Sequence, residues 1–217
     1  MNYNAERRLE EKQRRRGEIL DAATEVASRN GIDTTTMDQV ARKARLSRAL
    51  LYVYFKDKTD LHFGLCERAM EQLYTRFAEA AGRHRNGLER LEAMGRAYVA
   101  FSQEFPVYFE VLARFEARDP DALRSDGNLL ACVAAGDRVH QVLTDAIEAG
   151  MADGSIRADV GDSNTVAVAL WGFLHGVIQL VATKSALIAN RGTDPRKLME
   201  QALSLASIAV VGKRPDA

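Results

Sequence analysis

Apolar residues recur three and four apart along almost the whole chain, the spacing of helices with one buried face. The first such segment runs from about Gln13 to Asn30, with Ile19, Leu20, Ala23, Val26 and Ala27 as its stripe and Asn30-Gly31 as its stop. A short helix follows Thr35 or Thr36, either of which can cap it, and Met37, Val40, Ala41 and Ala44 form its apolar face. Arg45-Leu46 makes a turn, and Ser47 caps a third helix reaching about Phe55. From about Lys58 to Gly82, Leu61, Leu65, Ala69, Leu73, Phe77 and Ala80 keep an i, i+4 rhythm, with Asp57 or Thr59 as cap.

Asn86-Gly87 marks a break. Beyond it Leu88, Leu91, Met94, Gly95, Tyr98 and Phe101 share one side of a helix ending near Glu104. Pro106 opens or kinks the next element. Asp119-Pro120-Asp121 reads as a loop, and Ser125 to Asn128 as a cap for a helix from about Leu129 to Ala152. Asp162 or Ser163 caps an uncharged run, and Asp194-Pro195 starts a last helix that continues to Val211. No alternating pattern is long enough for a sheet. The reading is all-α with about nine helices. Residues 1–57 form a three-helix domain led by a basic arm over 1–12, and residues 58–217 form a larger helical domain.

The third helix has unusual chemistry. Leu51 and Phe55 point inward, which leaves Ser47, Arg48, Ala49, Tyr52 and Tyr54 mostly outward. That face has hydroxyls and a guanidinium but no carboxylate, as a helix seated in a major groove requires. Lys56 and Lys58 follow and can neutralise phosphates. A plain surface helix with a few aromatics is the competing reading.

Residues 31–61 resemble the DNA-binding domain of TetR-family transcriptional regulators. The matching positions are Gly31, Thr35-Thr36, Val40-Ala41, Ala44, Leu46-Ser47, Ala49, Leu51-Tyr52, Tyr54-Phe55, Lys58 and Leu61. The departure is Arg45, where the family usually has Gly. A positive φ there costs a non-Gly residue about 1 kcal/mol or more. Either Arg45 accepts that strain, free to reach a phosphate, or the turn takes another path. The resemblance implies base or phosphate contacts for Ser47, Arg48, Ala49 and Tyr52, and backbone contacts for Thr36, Tyr54 and Lys58. Leu50 can touch a thymine methyl or pack inward.

The resemblance also implies a homodimer that reads a palindromic operator on double-stranded DNA, joined through the last two helices. It further implies a small-molecule effector of unknown identity, held in the body. The stretch from Tyr98 to Phe115 holds six of the fifteen aromatic residues. They are core packing, or the wall of a ligand pocket. The pocket candidates are Met94, Tyr98, Phe101, Phe105, Tyr108, Phe109, Leu112, Trp171 and His175. Trp171 and His175, four apart, can instead line the dimer interface, and a lone His is more often a hydrogen-bonded core residue.

Composition narrows the classes. Net charge is zero, but residues 1–60 hold 13 Lys+Arg against 10 Asp+Glu, leaving 17 against 20 beyond. A basic front and an acidic back suit a DNA-binding head. Arg14 to Arg16 make the arm a second candidate for DNA contact, against a solvated, partly helical arm, the reading favoured for Met1 to Glu11. Cys66 and Cys132 are too few for a disulfide framework or zinc site, and a reduced cytoplasmic setting is expected. His62 and Cys66, four apart, are too few ligands for a metal. Thr165 to Thr183 approaches the length of a membrane span. His175, Gln179 and its Ala/Gly content argue for a soluble helix. No cofactor is expected. An all-α enzyme would need convergent titratable groups, yet His62, His84, His140 and His175 are scattered. An effector-independent DNA-binding dimer remains the alternative regulator.

Overall fold

The computed structural model describes residues 3–116 and 127–212. The expected loop at Asp119-Pro120-Asp121 and the cap at Ser125 lie outside them. Among the described residues the fold is all-α, with nine helices and no strand beyond one isolated bridge, Ile156 to Val211. The helices are α1 (Tyr3–Asn30), α2 (Met37–Lys43), α3 (Arg48–Tyr54), α4 (Lys58–Gly82), α5 (Gly87–Glu104), α6 (Pro106–Glu116), α7 (Gly127–Asp153), α8 (Ser163–Asn190) and α9 (Pro195–Val210).

The arm is not separate from the first helix, because α1 is already formed at Tyr3. Its residues are strong helix formers, and Glu11 pairs with Arg14 and Arg15, which both pair with Glu18. Elsewhere the caps are local. Thr36 and Gln39 close a capping box at α2. Ser47 Oγ accepts from the Leu50 N–H at α3, and Asp162 and Asp194 cap α8 and α9. A break in helical geometry at Lys184 kinks α8. By length and composition α8 is the one described helix apolar enough to cross a membrane.

The chain divides into two compact units. The first takes residues up to Ala69 together with Phe105 to Ala134. In it α2 packs on α1 and α3, and α6 packs on α1. Ile19, Leu20, Val40, Leu51, Phe55 and Phe63 are fully buried there, and Phe63 meets Phe115 edge to face at 6.1 Å. The second takes Met70 to Glu104 with the chain from Ala135 onward. Its α5, α8 and α9 pack on one another. Gly87 at the start of α5 lies so close to α7 that a Cβ would run into the backbone of Gly150 and Ala146.

Candidate nucleic-acid interface and effector cavity

In the first unit, the turn into α3 is a Schellman ending of α2. The Leu46 N–H donates to the Ala41 carbonyl at 2.9 Å, and the Arg45 N–H to Arg42 at 3.2 Å. Arg45 therefore takes the left-handed conformation, with φ 56°, where a glycine would be unstrained. The turn keeps the path that a glycine would allow, and Arg45 accepts the strain. Its side chain is exposed.

Leu51 and Phe55 anchor α3 with no exposure, so the opposite face is open. Ser47, Arg48, Ala49, Leu50 and Tyr52 are exposed, and Tyr54 is half-buried. Arg48 Nε lies 3.2 Å from Asp38 Oδ1 on α2, and its guanidinium sits 5.6 Å from the centre of the Tyr52 ring. The base-reading candidates are thus presented together, already ordered by one another. Thr36 is engaged as the α2 cap, and Lys58 donates to the Asp33 carbonyl between α1 and α2. Leu50, left open by the sequence, faces solvent.

A partly buried polar chain braces the exit from α3. Arg16 donates to Glu67 at 2.6 Å and to Asn128 at 2.8 Å, and Asn128 donates to Asp60 at 2.6 Å. Asp60 accepts the Lys56 N–H at 2.9 Å, holding the turn where α3 ends. The Arg16 guanidinium also lies 5.4 Å from the Phe55 ring centre. Arg14 to Arg16 are accordingly occupied by Glu11, Glu18, Glu67 and Asn128. Beside α3 the arm cations are instead Arg7, Arg8 and Lys12, which together with Glu11 line a cleft with Val53 and Tyr54. Helical phase could have found them, since residues 8 and 12 lie one turn apart.

The second unit contains an apolar pocket with a cavity volume of about 60 Å³, partly open to solvent. Met94, Gly95 and Tyr98 of α5, Leu143 of α7, Leu170, Trp171 and Leu174 of α8, and Leu203 of α9 form its wall. Of the nine sequence candidates, Met94, Tyr98 and Trp171 line it. His175 stands behind the wall, its Nδ1 2.6 Å from the Tyr98 hydroxyl. Burial pushes the His175 imidazole pKa down from its ordinary value. Phe101 is fully buried in α5. Phe105, Tyr108, Phe109 and Leu112 belong to the first unit, with Phe105 and Tyr108 stacked at 5.9 Å. Glu92 and Ser207, which the sequence reading did not select, also line the cavity, with Ser207 Oγ donating to Glu92 Oε1 at 2.6 Å. The available signal was phase: Glu92 and Gly95 fall four and seven residues after Leu88, on the apolar side. Among the described residues, no three His, Cys, Asp or Glu side chains are grouped to hold a metal.

Two family models match the chain. "Bacterial regulatory proteins, tetR family" covers residues 19–63, and "Tetracyclin repressor-like, C-terminal domain" covers 91–206. The HTH-type transcriptional repressor NicS of Pseudomonas putida is 30% identical over 157 residues, spanning 70% of this chain and 71% of that protein. A regulatory protein in the tetR family from Rhodococcus superposes with a TM-score of 0.68 at 19% identity, over 92% of this chain and 98% of that one. FadR of Bacillus subtilis, solved with stearoyl-CoA, does so with a TM-score of 0.67 at 19% identity, over 88% and 97%. At such identities the two structures speak for the fold alone. The family models cover both the helix-turn-helix and the helical body, and the chain belongs to the TetR family of DNA-binding transcriptional regulators.

Proposed function

We propose that the protein is a cytoplasmic repressor that binds a palindromic operator as a homodimer and leaves it when a small apolar or amphipathic effector fills the cavity of the second unit. The observation that carries this reading is the open face of α3. Arg48 and Tyr52 are exposed on it, while Leu51 and Phe55 fix the helix from behind. Arg48 is suited to bidentate contact with a guanine edge, and Ser47, Ala49 and Tyr52 to bases or phosphates beside it. Arg45, Tyr54, Lys58 and the arm cations Arg7, Arg8 and Lys12 would set the register on phosphate. Repression is supported by the relative NicS, which is described as a repressor.

The dimer reading rests on α8 and α9. Ala167, Leu174 and Ile178 are buried on one side of α8, while Val168, Phe173 and Leu180 are exposed on the other. Leu205 and Ile208 of α9 are exposed as well. Two copies joined by an isologous four-helix contact would cover these faces. Such a dimer would set two α3 helices about 34–36 Å apart for successive major grooves. Ligand and operator then weaken each other by the same factor, since the coupling is reciprocal.

The test is selection of bound duplexes from a random DNA library at stated salt. Recovery of one palindrome with regularly spaced half-sites is expected. Recovery of only salt-sensitive, sequence-independent binding would sink the reading.

A further inference from the structure

The cavity wall in the second unit is apolar except at one end. There the α5 carboxylate of Glu92 meets the α9 hydroxyl of Ser207, which donates to Oε1 at 2.6 Å. The other carboxylate oxygen, Oε2, has Arg96 one turn along α5 at 3.8 Å, and Arg96 is itself largely exposed and outside the cavity wall. A further polar group on the wall, the Tyr98 hydroxyl, is engaged with His175. None of the residues forming the wall is a lysine, an arginine or a histidine. Among the described residues, Glu92 is thus the one charged side chain of the wall, with Arg96 beside its outer oxygen.

A carboxylate against apolar walls favours a cation that arrives with its own apolar body. We infer that this cavity selects amphipathic amines, with the apolar part against Leu91, Met94, Leu170 and Trp171 and the protonated nitrogen on Glu92 Oε2. The inference rests on the proposed effector role of the cavity and names the effector's class. An anion of equal length would set its charge beside Glu92, a like-charge contact that selects against it. A neutral alcohol falls between, because it can donate to Oε2 without a charge.

Trp171 is the single tryptophan of the chain, so its fluorescence reports occupancy of this cavity directly. The test titrates the full chain with n-octylamine, n-octanol and n-octanoate at neutral pH. The amine should bind tightest and octanoate weakest, with roughly tenfold between them, the scale of a partly exposed charge contact changing sign. Glu92→Gln keeps the hydrogen bond from Ser207 and should bring all three within about twofold of one another. Arg96→Ala, on the exposed side, removes the competing cation and should tighten the amine further. Equal or tighter binding of octanoate to the unaltered protein would overturn the inference, whatever the variants do. So would an unchanged ranking in folded Glu92→Gln. Silence of Trp171 toward all three would overturn both the inference and the effector cavity. The expected ranking without release of operator DNA would remove the effector role and leave the amine preference standing.

Discussion

The Tyr98 hydroxyl stands 2.6 Å from His175 Nδ1, and both side chains are buried, so α5 and α8 are tied together beside the cavity. A neutral imidazole can give or take this hydrogen bond, whereas imidazolium can only donate. Burial holds the imidazole pKa below its ordinary value of 6.5. The unfolded chain therefore takes up the proton first as pH falls. Stability from this group is complete above about pH 6.5 and declines below it, until the depressed folded-state value is passed. The thermal midpoint should drop between pH 7 and 5, and the drop should be smaller in His175→Gln. Tyr98→Phe should cost about 1 kcal/mol at pH 7, the net worth of one hydrogen bond. Equal pH slopes for the unaltered protein and His175→Gln would refute the assignment.

Arg45 carries strain in the helix-turn-helix. Arg45→Gly relieves about 1 kcal/mol of left-handed strain and gives most of it back through the freer unfolded chain. Its melting temperature should equal or slightly exceed that of the unaltered protein. Arg45→Val, β-branched at φ 56°, should lose about 1–2 kcal/mol. If Arg45 touches a phosphate, Arg45→Gly should also lower the salt slope of operator binding by about one. A destabilised glycine variant would contradict the turn geometry.

Arg48 and Tyr52 are the expected readers. Arg48→Ala should cost about 1–3 kcal/mol of operator affinity and relax the preference at one base pair. Tyr52→Ala should weaken binding too, directly and by freeing Arg48 from its ring. Asp38→Asn removes the Arg48 partner and a negative charge near phosphate, and should strengthen non-specific binding. Mobility shifts on the selected operator and on a scrambled duplex distinguish these outcomes, and undiminished binding by both alanine variants would reject the readers.

Gly87 is required by close approach. Gly87→Ala drives a methyl into the backbone of α7 and should cost at least about 1–3 kcal/mol, as overpacking does. Gly82→Ala, where a Cβ meets nothing within 4 Å, is the control, and chemical denaturation compares the two. Equal stabilities would mean that α5 and α7 do not pack so tightly.

The exposed stripe of α8 and α9 should hold the dimer. Leu205→Asp with Ile208→Asp should yield a folded monomer in sedimentation, with operator affinity lost through the missing second half-site. Persistence of the dimer would move the interface elsewhere.

Most elements could be read from the sequence because their causes are local. Thr36, Ser47, Asp162 and Asp194 cap helices whose ends they sit beside, and apolar phase marked the faces of α1 to α5. The motif around Ser47 and Tyr52 was legible for the same reason, being one short stretch. The start of α1 was misjudged because its support is a set of ion pairs among Glu11, Arg14, Arg15 and Glu18, and no apolar stripe. Which aromatics bound a cavity could not be read, since that depends on which helix faces which. Phe105, Tyr108, Phe109 and Leu112 follow Tyr98 closely in sequence, yet they pack in the other unit. Glu92 and Ser207 are 115 residues apart and meet at 2.6 Å. Local chemistry along the chain determined the helices, their caps and the open face of α3. Only tertiary packing, which joins distant residues by burying their faces, decided the cavity and its carboxylate.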